Sequence, residues 1–300
     1  MKKVIIIVLS IVLVLLIAAT VLWFIFGGNA KKPSRPGILG RDPSEVLDEA
    51  VANSENMTEM IEEYKLVDGV TYKLTFYDDF VGTDIDTTKW SRSPEDQRQN
   101  VGGYWDDSMI TVENGNLVVS SAIREDGRPI SGSIMSLGKF EQTKGYFEIK
   151  CKLQKASGFW GAFWLMNFGQ FNVDGTAIDG AEIDIFESNH VAMRKINQNL
   201  HYDGYGAAHV QLPHSETADV YDGEYHTFAF LWTDNEYVWY IDGRETYRLS
   251  STSSRYPGCC SVPTFMIISS EFGTWAGSYY PDELPDAWYV DYVKVYSSEY

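Results

Sequence analysis

The sequence predicts an all-β body, a two-layer sandwich rather than a barrel, preceded by one apolar helix at the N-terminus. Three observations carry this. Segments in which apolar and polar residues alternate recur along the chain from about residue 67 onward, and a period of two belongs to half-buried strands. Apolar residues at helical spacing are missing from the same stretch. Gly, Asp, Asn and Pro separate the segments at short intervals, which favours many short strands over long crossovers.

In chain order, the first element is residues 1–30. Lys2 and Lys3 precede a run without charge from Val4 to Ala30. Its apolar part, Val4 to Phe26, exceeds the roughly 7 to 15 residues of a cleavable signal and matches the ~20 needed to span a bilayer. An uncleaved signal anchor in the cell membrane is expected; the alternative is cleavage at Gly28-Asn29-Ala30 and secretion. Lys31, Lys32, Arg35 and Arg41 follow the span, against the positive-inside rule. The body is nonetheless expected outside the cell, on functional grounds. Residues 31–66 are polar, with Pro33, Pro36 and Pro43 and an acidic stretch over 44–63, and read as a linker or stalk. Residues 67–300 are long enough for one β domain with a substantial core.

Charge and cysteine content narrow the function. The 24 basic and 42 acidic residues leave a net charge of −18, which argues against nucleic acid as a partner and for a neutral substrate. Three cysteines make no disulfide framework. Cys151 falls in phase with Phe147, Ile149 and Leu153 and is expected as a free core thiol. Cys259 and Cys260 are assigned no role.

The expected strands are 116–122, 145–153, 160–166, 182–187, 196–202, 226–233, 237–241 and 290–296. Asp234-Asn235 marks a hairpin and Asp242-Gly243 a second turn. Within 182–187, Glu182 and Asp184 share a face, while Ile183 and Ile185 point to the other. Glu187 stands five residues after Glu182, so only a bulge returns it to the side of the other two acids. The hexapeptide alone fits either an edge strand whose acids face water or a groove lined by three carboxylates. Two carboxyl groups across a sugar bond are what a retaining glycosidase uses.

Aromatic residues flank the acids. Trp160 and Trp164 stand four apart in one strand and therefore on one face. Tryptophan, with its apolar body and N–H, suits a half-wet groove. Trp105, Trp160, Trp164 and Trp275, each next to Gly or polar sequence, are the candidate sugar-binding residues, and Trp232, Trp239 and Trp288 are expected in the core. His201 is a candidate donor to a sugar or a carboxylate, or else a structural group.

With these residues in view, the chain resembles glycoside hydrolase family 16. Glu182, Asp184 and Glu187 form the six-residue, bulged version of that family's acid signature. The segments 76–80 with 86–90, 133–136, 145–148, 160–166, 225–243 and 290–296 resemble its other strands in order, from about Lys73 to Ser297. The resemblance implies a jelly-roll sandwich with a concave sheet as an open cleft, and endo-hydrolysis with retention. It implies Glu182 as nucleophile, Glu187 as general acid/base and Asp184 as the residue that tunes the nucleophile. No cofactor is implied for catalysis, but a structural calcium is, at Asp79, the Gly115 carbonyl and Asp291, by their oxygen ligands. The expected substrate is a β-1,3-glucan of laminarin type or a mixed-linkage β-glucan, and the enzyme is expected to act as a monomer. The alternatives are an endo-β-galactanase of agarase, carrageenase or keratan type, a transglycosylase on the same site, and a binding module without catalysis. Glu271, ahead of the 272–277 segment, is a departure from laminarinase-like sequences.

Overall fold

Two sheets, antiparallel except where Tyr104–Trp105 pairs with Pro129–Ser131, face each other across one main hydrophobic core. In the computed structural model residues 63–298 are described, except 95 and 98–101. They belong to a compact unit spanning Met57–Tyr300. From residue 64 onward, the helical elements are short 3-10 turns such as Phe168–Phe171. Among the described residues no helix is long and apolar enough to cross a membrane; the span expected over Val4 to Phe26 lies outside them. The strand Tyr64–Val67 pairs with Val70–Asp78, so the first described hairpin straddles the expected linker boundary at 66.

One sheet runs Arg244–Ser250, Glu236–Ile241, His226–Trp232, Gly145–Lys152, Asp286–Ser297, Asn116–Ile123, Pro129–Ser131, Tyr104–Trp105, Asp96–Gln97. The other runs Val210–Gln211, Lys195–Tyr202, Glu182–His190, Phe159–Met166, Thr264–Phe272, Ser133–Met135, Ser91–Arg92. Every strand expected from alternation is present. The turn at 234–235 joins strands in the register Trp232 to Tyr237. At the second turn Asp242 and Gly243 have φ of 49° and 72°, the paired left-handed conformation of a tight hairpin.

The inner faces meet in a core that includes Phe147, Ile149 and Cys151 from the first sheet and Phe163, Leu165, Ile183, Ile185 and Phe186 from the second. Trp232, Trp239 and Trp288 are fully buried there, as the strand patterns require. All three cysteines are free, and Cys151 is a core thiol. On Phe159–Met166 the inward set is Phe159, Gly161, Phe163 and Leu165. Gly161 is small because the Trp288 indole lies where its side chain would be: an added Cβ would come 2.8 Å from Trp288 Nε1 and Cε2. That indole is fixed in turn by its hydrogen bond to Ser270 Oγ at 2.9 Å. Ser188 Oγ accepts from the Gly161 N–H at 2.9 Å, which ties the tryptophan-bearing strand to the acid-bearing one.

Of the residues implied for calcium, Asp79 follows the strand Val70–Asp78, Gly115 sits in the turn before Asn116–Ile123 and Asp291 lies within Asp286–Ser297, and the two carboxylates already have partners. The Asp291 carboxylate already holds the Lys150 ammonium at 2.6 Å, and Asp79 accepts from the Tyr77 hydroxyl at 3.2 Å. A cation would have to displace one that the protein itself supplies.

Overpacking of a tight core typically costs about 1–3 kcal/mol. Gly161→Ala is therefore expected to lower stability by about that amount, read from urea unfolding. An unchanged midpoint would mean that Trp288 can move aside.

Candidate active site

The strand Glu182–His190 carries the site because it contains one residue too many. Trp164 pairs with Asp184 but Phe163 pairs with Phe186, leaving Ile185 unpaired on that side. On the other side Asp184 faces Asn199 and Glu187 faces Asn197, so Ile185 and Phe186 together oppose a single residue. Both Ile185 and Phe186 are fully buried in the core. The alternation restarts after them, and Glu187 emerges on the same outer face as Glu182 and Asp184. The core holds this kink: Phe186 stacks on Phe228 with ring centroids 4.3 Å apart and meets Trp288 edge-on at 5.6 Å. Trp239 Nε1 donates to the Asp184 carbonyl oxygen at 2.9 Å.

Like charges crowd this face. Glu182 is half-buried, and its carboxyl is pushed up to about 7, first by desolvation and then by the Asp184 charge; His201 and a hydrogen bond from Tyr205 oppose the shift. Glu187 is held well above the usual carboxylate range by desolvation and by the charges of Asp184, Glu182 and Glu271, opposed by a hydrogen bond from Trp160. Both shifts point the same way, but Glu182 has two groups that favour its ionised form close at hand. Of the pair, Glu187 is the one that keeps the proton. His201 Nε2 lies 3.3 Å from Asp184 Oδ2 and 3.9 Å from Glu182 Oε1. Burial works against a charge on His201, yet the contact with Asp184 and the nearby carboxylates outweigh it and raise its pKa. The ligand-type atoms of Glu182, Asp184 and His201 fall within 4.8 Å of one another. Glu182 accepts from Tyr205 and His201 meets His209, while Asp184 Oδ2 has the His201 ring as its charged neighbour.

Trp160, Trp164 and Trp275 are brought to the acids. Trp164 lies across from Asp184, and its Nε1 donates to Ser269 Oγ at 3.1 Å. Trp160 is only 5 % exposed and is met edge-on by Trp275 at 5.2 Å, so its use is its hydrogen bond to Glu187 rather than a stacking surface. Trp275, 44 % exposed, offers the open ring. Trp105 departs from the expectation: it sits in a short strand of the first sheet and is 5 % exposed, leaving almost no face for a sugar. The reason is a contact distant in sequence, since Gly103 packs against Phe272 and draws that segment inward.

Three residues outside the expected set belong to the site. Glu271 is paired with Trp160 and is nearly buried, and its charge reaches both Glu182 and Glu187. Tyr205 donates to Glu182 Oε2 from the loop after Lys195–Tyr202. His209, in the same loop, meets His201. The positive φ of Asp203 and Gly204 turns this loop back toward the acids, and the Gly204 N–H anchors it to the Gln170 carbonyl at 2.7 Å. Nothing in a single sequence marks a loop as folding back in this way.

A family model described as glycosyl hydrolases family 16 matches residues 97–294. The chain is 22% identical over 260 residues to the "Glucan endo-1,3-beta-glucosidase A1" of Niallia circulans, which covers 75% of this chain and 38% of that protein. It is 27% identical over 241 residues to the "Keratan-sulfate endo-1,4-beta-galactosidase" of Sphingobacterium multivorum, covering 75% and 55% respectively. The match thus spans about half or less of those relatives. Among solved structures, the catalytic domain of an endo-1,3-beta-glucanase (laminarinase) from Thermotoga petrophila superposes with a TM-score of 0.62 at 27% identity, over 77% of this chain and all of that one.

Tyr205→Phe removes the donor that favours the ionised form of Glu182. The Glu182 titration, followed by carboxyl carbon NMR, is expected to rise from about 7 in this variant. A midpoint that stays put would show that the hydroxyl is not coupled to the acid.

Proposed function

The chain belongs to glycoside hydrolase family 16, and on that premise we propose that it is a retaining endo-glycosidase that cleaves internal β-linkages of a neutral polysaccharide. The observation that carries this is the kink in Glu182–His190, which puts Glu182, Asp184 and Glu187 on one face and raises the proton affinities of Glu182 and Glu187. Glu182 attacks the anomeric carbon in its ionised form while Glu187 protonates the departing oxygen. Glu187 then takes a proton from water as that water hydrolyses the glycosyl ester on Glu182. Asp184 holds His201 against the nucleophile, and Trp160 steadies Glu187 through both steps.

A β-1,3-glucan or a mixed-linkage β-glucan is the favoured substrate. The acid-rich face formed by Glu182, Asp184, Glu187 and Glu271 suits an uncharged sugar chain better than a sulfated one. The likeness to a keratan-sulfate endo-galactosidase supports a second reading, endo-cleavage of a galactan. Residues 1–30 complete the reading as a membrane anchor that displays a monomeric catalytic domain outside the cell, with polysaccharide as its partner.

Two measurements test this. On a panel of laminarin, mixed-linkage glucan, agarose, carrageenan and keratan, the protein is expected to release oligosaccharides from the two glucans. Glu182→Gln should lose that activity while still binding sugar; comparable activity in the variant would remove Glu182 from the mechanism. The second is pH dependence. As pH falls through about 7, Glu182 takes up a proton and ceases to be a nucleophile. At high pH Glu187 loses the proton it must deliver. A bell-shaped kcat/KM follows, its acid limb near 7, with apparent values that belong to the coupled pair. A profile without an acid limb would contradict the division of roles.

A further inference from the structure

His209 has no part in the chemistry above, yet it is built into the site. Its Nε2 lies 2.7 Å from His201 Nδ1. The two rings are nearly parallel, at 11°, with centroids 5.0 Å apart. Its own backbone N–H donates to the Gly206 carbonyl at 3.1 Å, and Tyr205, the donor to Glu182, packs edge-on against its ring at 5.6 Å. Glu182, Tyr205, His209 and His201 therefore close a ring around the carboxylate that attacks.

Proton counting limits what this ring can hold. His201 Nε2 faces oxygens of Asp184 and Glu182, which only accept when ionised, so that nitrogen carries a proton. An N–H···N bond contains a single proton, so at the contact between the imidazoles one ring donates and the other accepts. If His209 donates, His201 is neutral. If His209 accepts, His201 carries a proton on each nitrogen and is a cation. The groups facing the pair decide between the two. Asp184 and Glu182 on the neighbouring strand favour charge on His201. Burial and the charge of His201 hold the proton affinity of His209 down. Tyr205 from the same loop and Gln211 opposite His201 bring no positive charge, and Glu271 adds a negative one that reaches Glu182.

Resting on the reading of Glu182 as nucleophile, we propose that His209 is a positioning residue: it accepts the Nδ1–H of His201 and so holds that ring as an imidazolium whose charge lies beside Asp184 and Glu182, keeping the nucleophile ionised. Fixing one imidazole nitrogen through a hydrogen bond on the other is the means by which proteins set both the tautomer and the orientation of a histidine.

The test uses the full chain, nitrogen NMR of the imidazoles and kcat/KM on laminarin across pH. In His209→Ala, His201 is expected to give up its second proton at neutral pH, the acid limb of kcat/KM to move to higher pH, and kcat to fall about tenfold with KM nearly unchanged. His209→Gln, whose amide oxygen can accept the same N–H, is expected to restore the imidazolium and most of the rate. An unchanged His201 spectrum and pH profile in His209→Ala would overturn the proposal, as would a glutamine variant impaired as severely as the alanine one. If the unaltered protein cleaves no polysaccharide, the reading of the reaction falls, and the spectra still decide what His209 does.

Discussion

Two consecutive core residues, Ile185 and Phe186, set the arrangement of the whole site. A regular strand cannot send neighbours to the same side, so their joint burial requires the local kink seen in the pairing with Phe159–Met166 and Lys195–Tyr202. The aromatic stack of Phe186 on Phe228 and the indole bond from Trp239 to the Asp184 carbonyl fix the kink from below. What emerges on the opposite face is therefore a consequence of packing. Carboxylates at Glu182, Asp184 and Glu187 are held close despite mutual repulsion because moving any one of them would unseat a buried ring.

That repulsion has a use. Desolvation and neighbouring charge raise the proton affinity of both Glu182 and Glu187, but the supporting groups are distributed unequally. Glu182 is served by Tyr205 and His201, each tied into the loop that carries His209, whereas the charged form of Glu187 is favoured by Trp160. Two acids of one kind become chemically distinct through what surrounds them.

Much of the architecture is legible in the sequence because one face of most strands is wet or half-wet. Lys195–Tyr202 shows it, as does the Lys150–Lys152 end of Gly145–Lys152, and the five-residue offset from Glu182 to Glu187 calls for a bulge if the two acids are to share a face. Thr264–Phe272 is not legible. All nine of its residues are buried, on the side of the carboxylates as well as on the core side, so no alternation survives in the sequence. With that strand hidden, Glu271 stands out only as an unusual acid, and its position beside Trp160 comes from the register alone. Trp105 illustrates the opposite limit: polar neighbours in sequence point outward, while contacts distant in sequence turn the ring in. His209 and Tyr205 depend on a loop reversal at Asp203 and Gly204 that local pattern does not encode.

The surplus residue in the kinked strand also bears on how such sites can drift. Removing the codon for Ile185 would leave acids at the first, third and fifth places of an unbroken strand, all still on one side, with a single aromatic between the last two facing inward. Loss of two codons would instead bury the final acid. Parity thus makes one deletion at this point compatible with three acids on one face, and a second deletion incompatible with it.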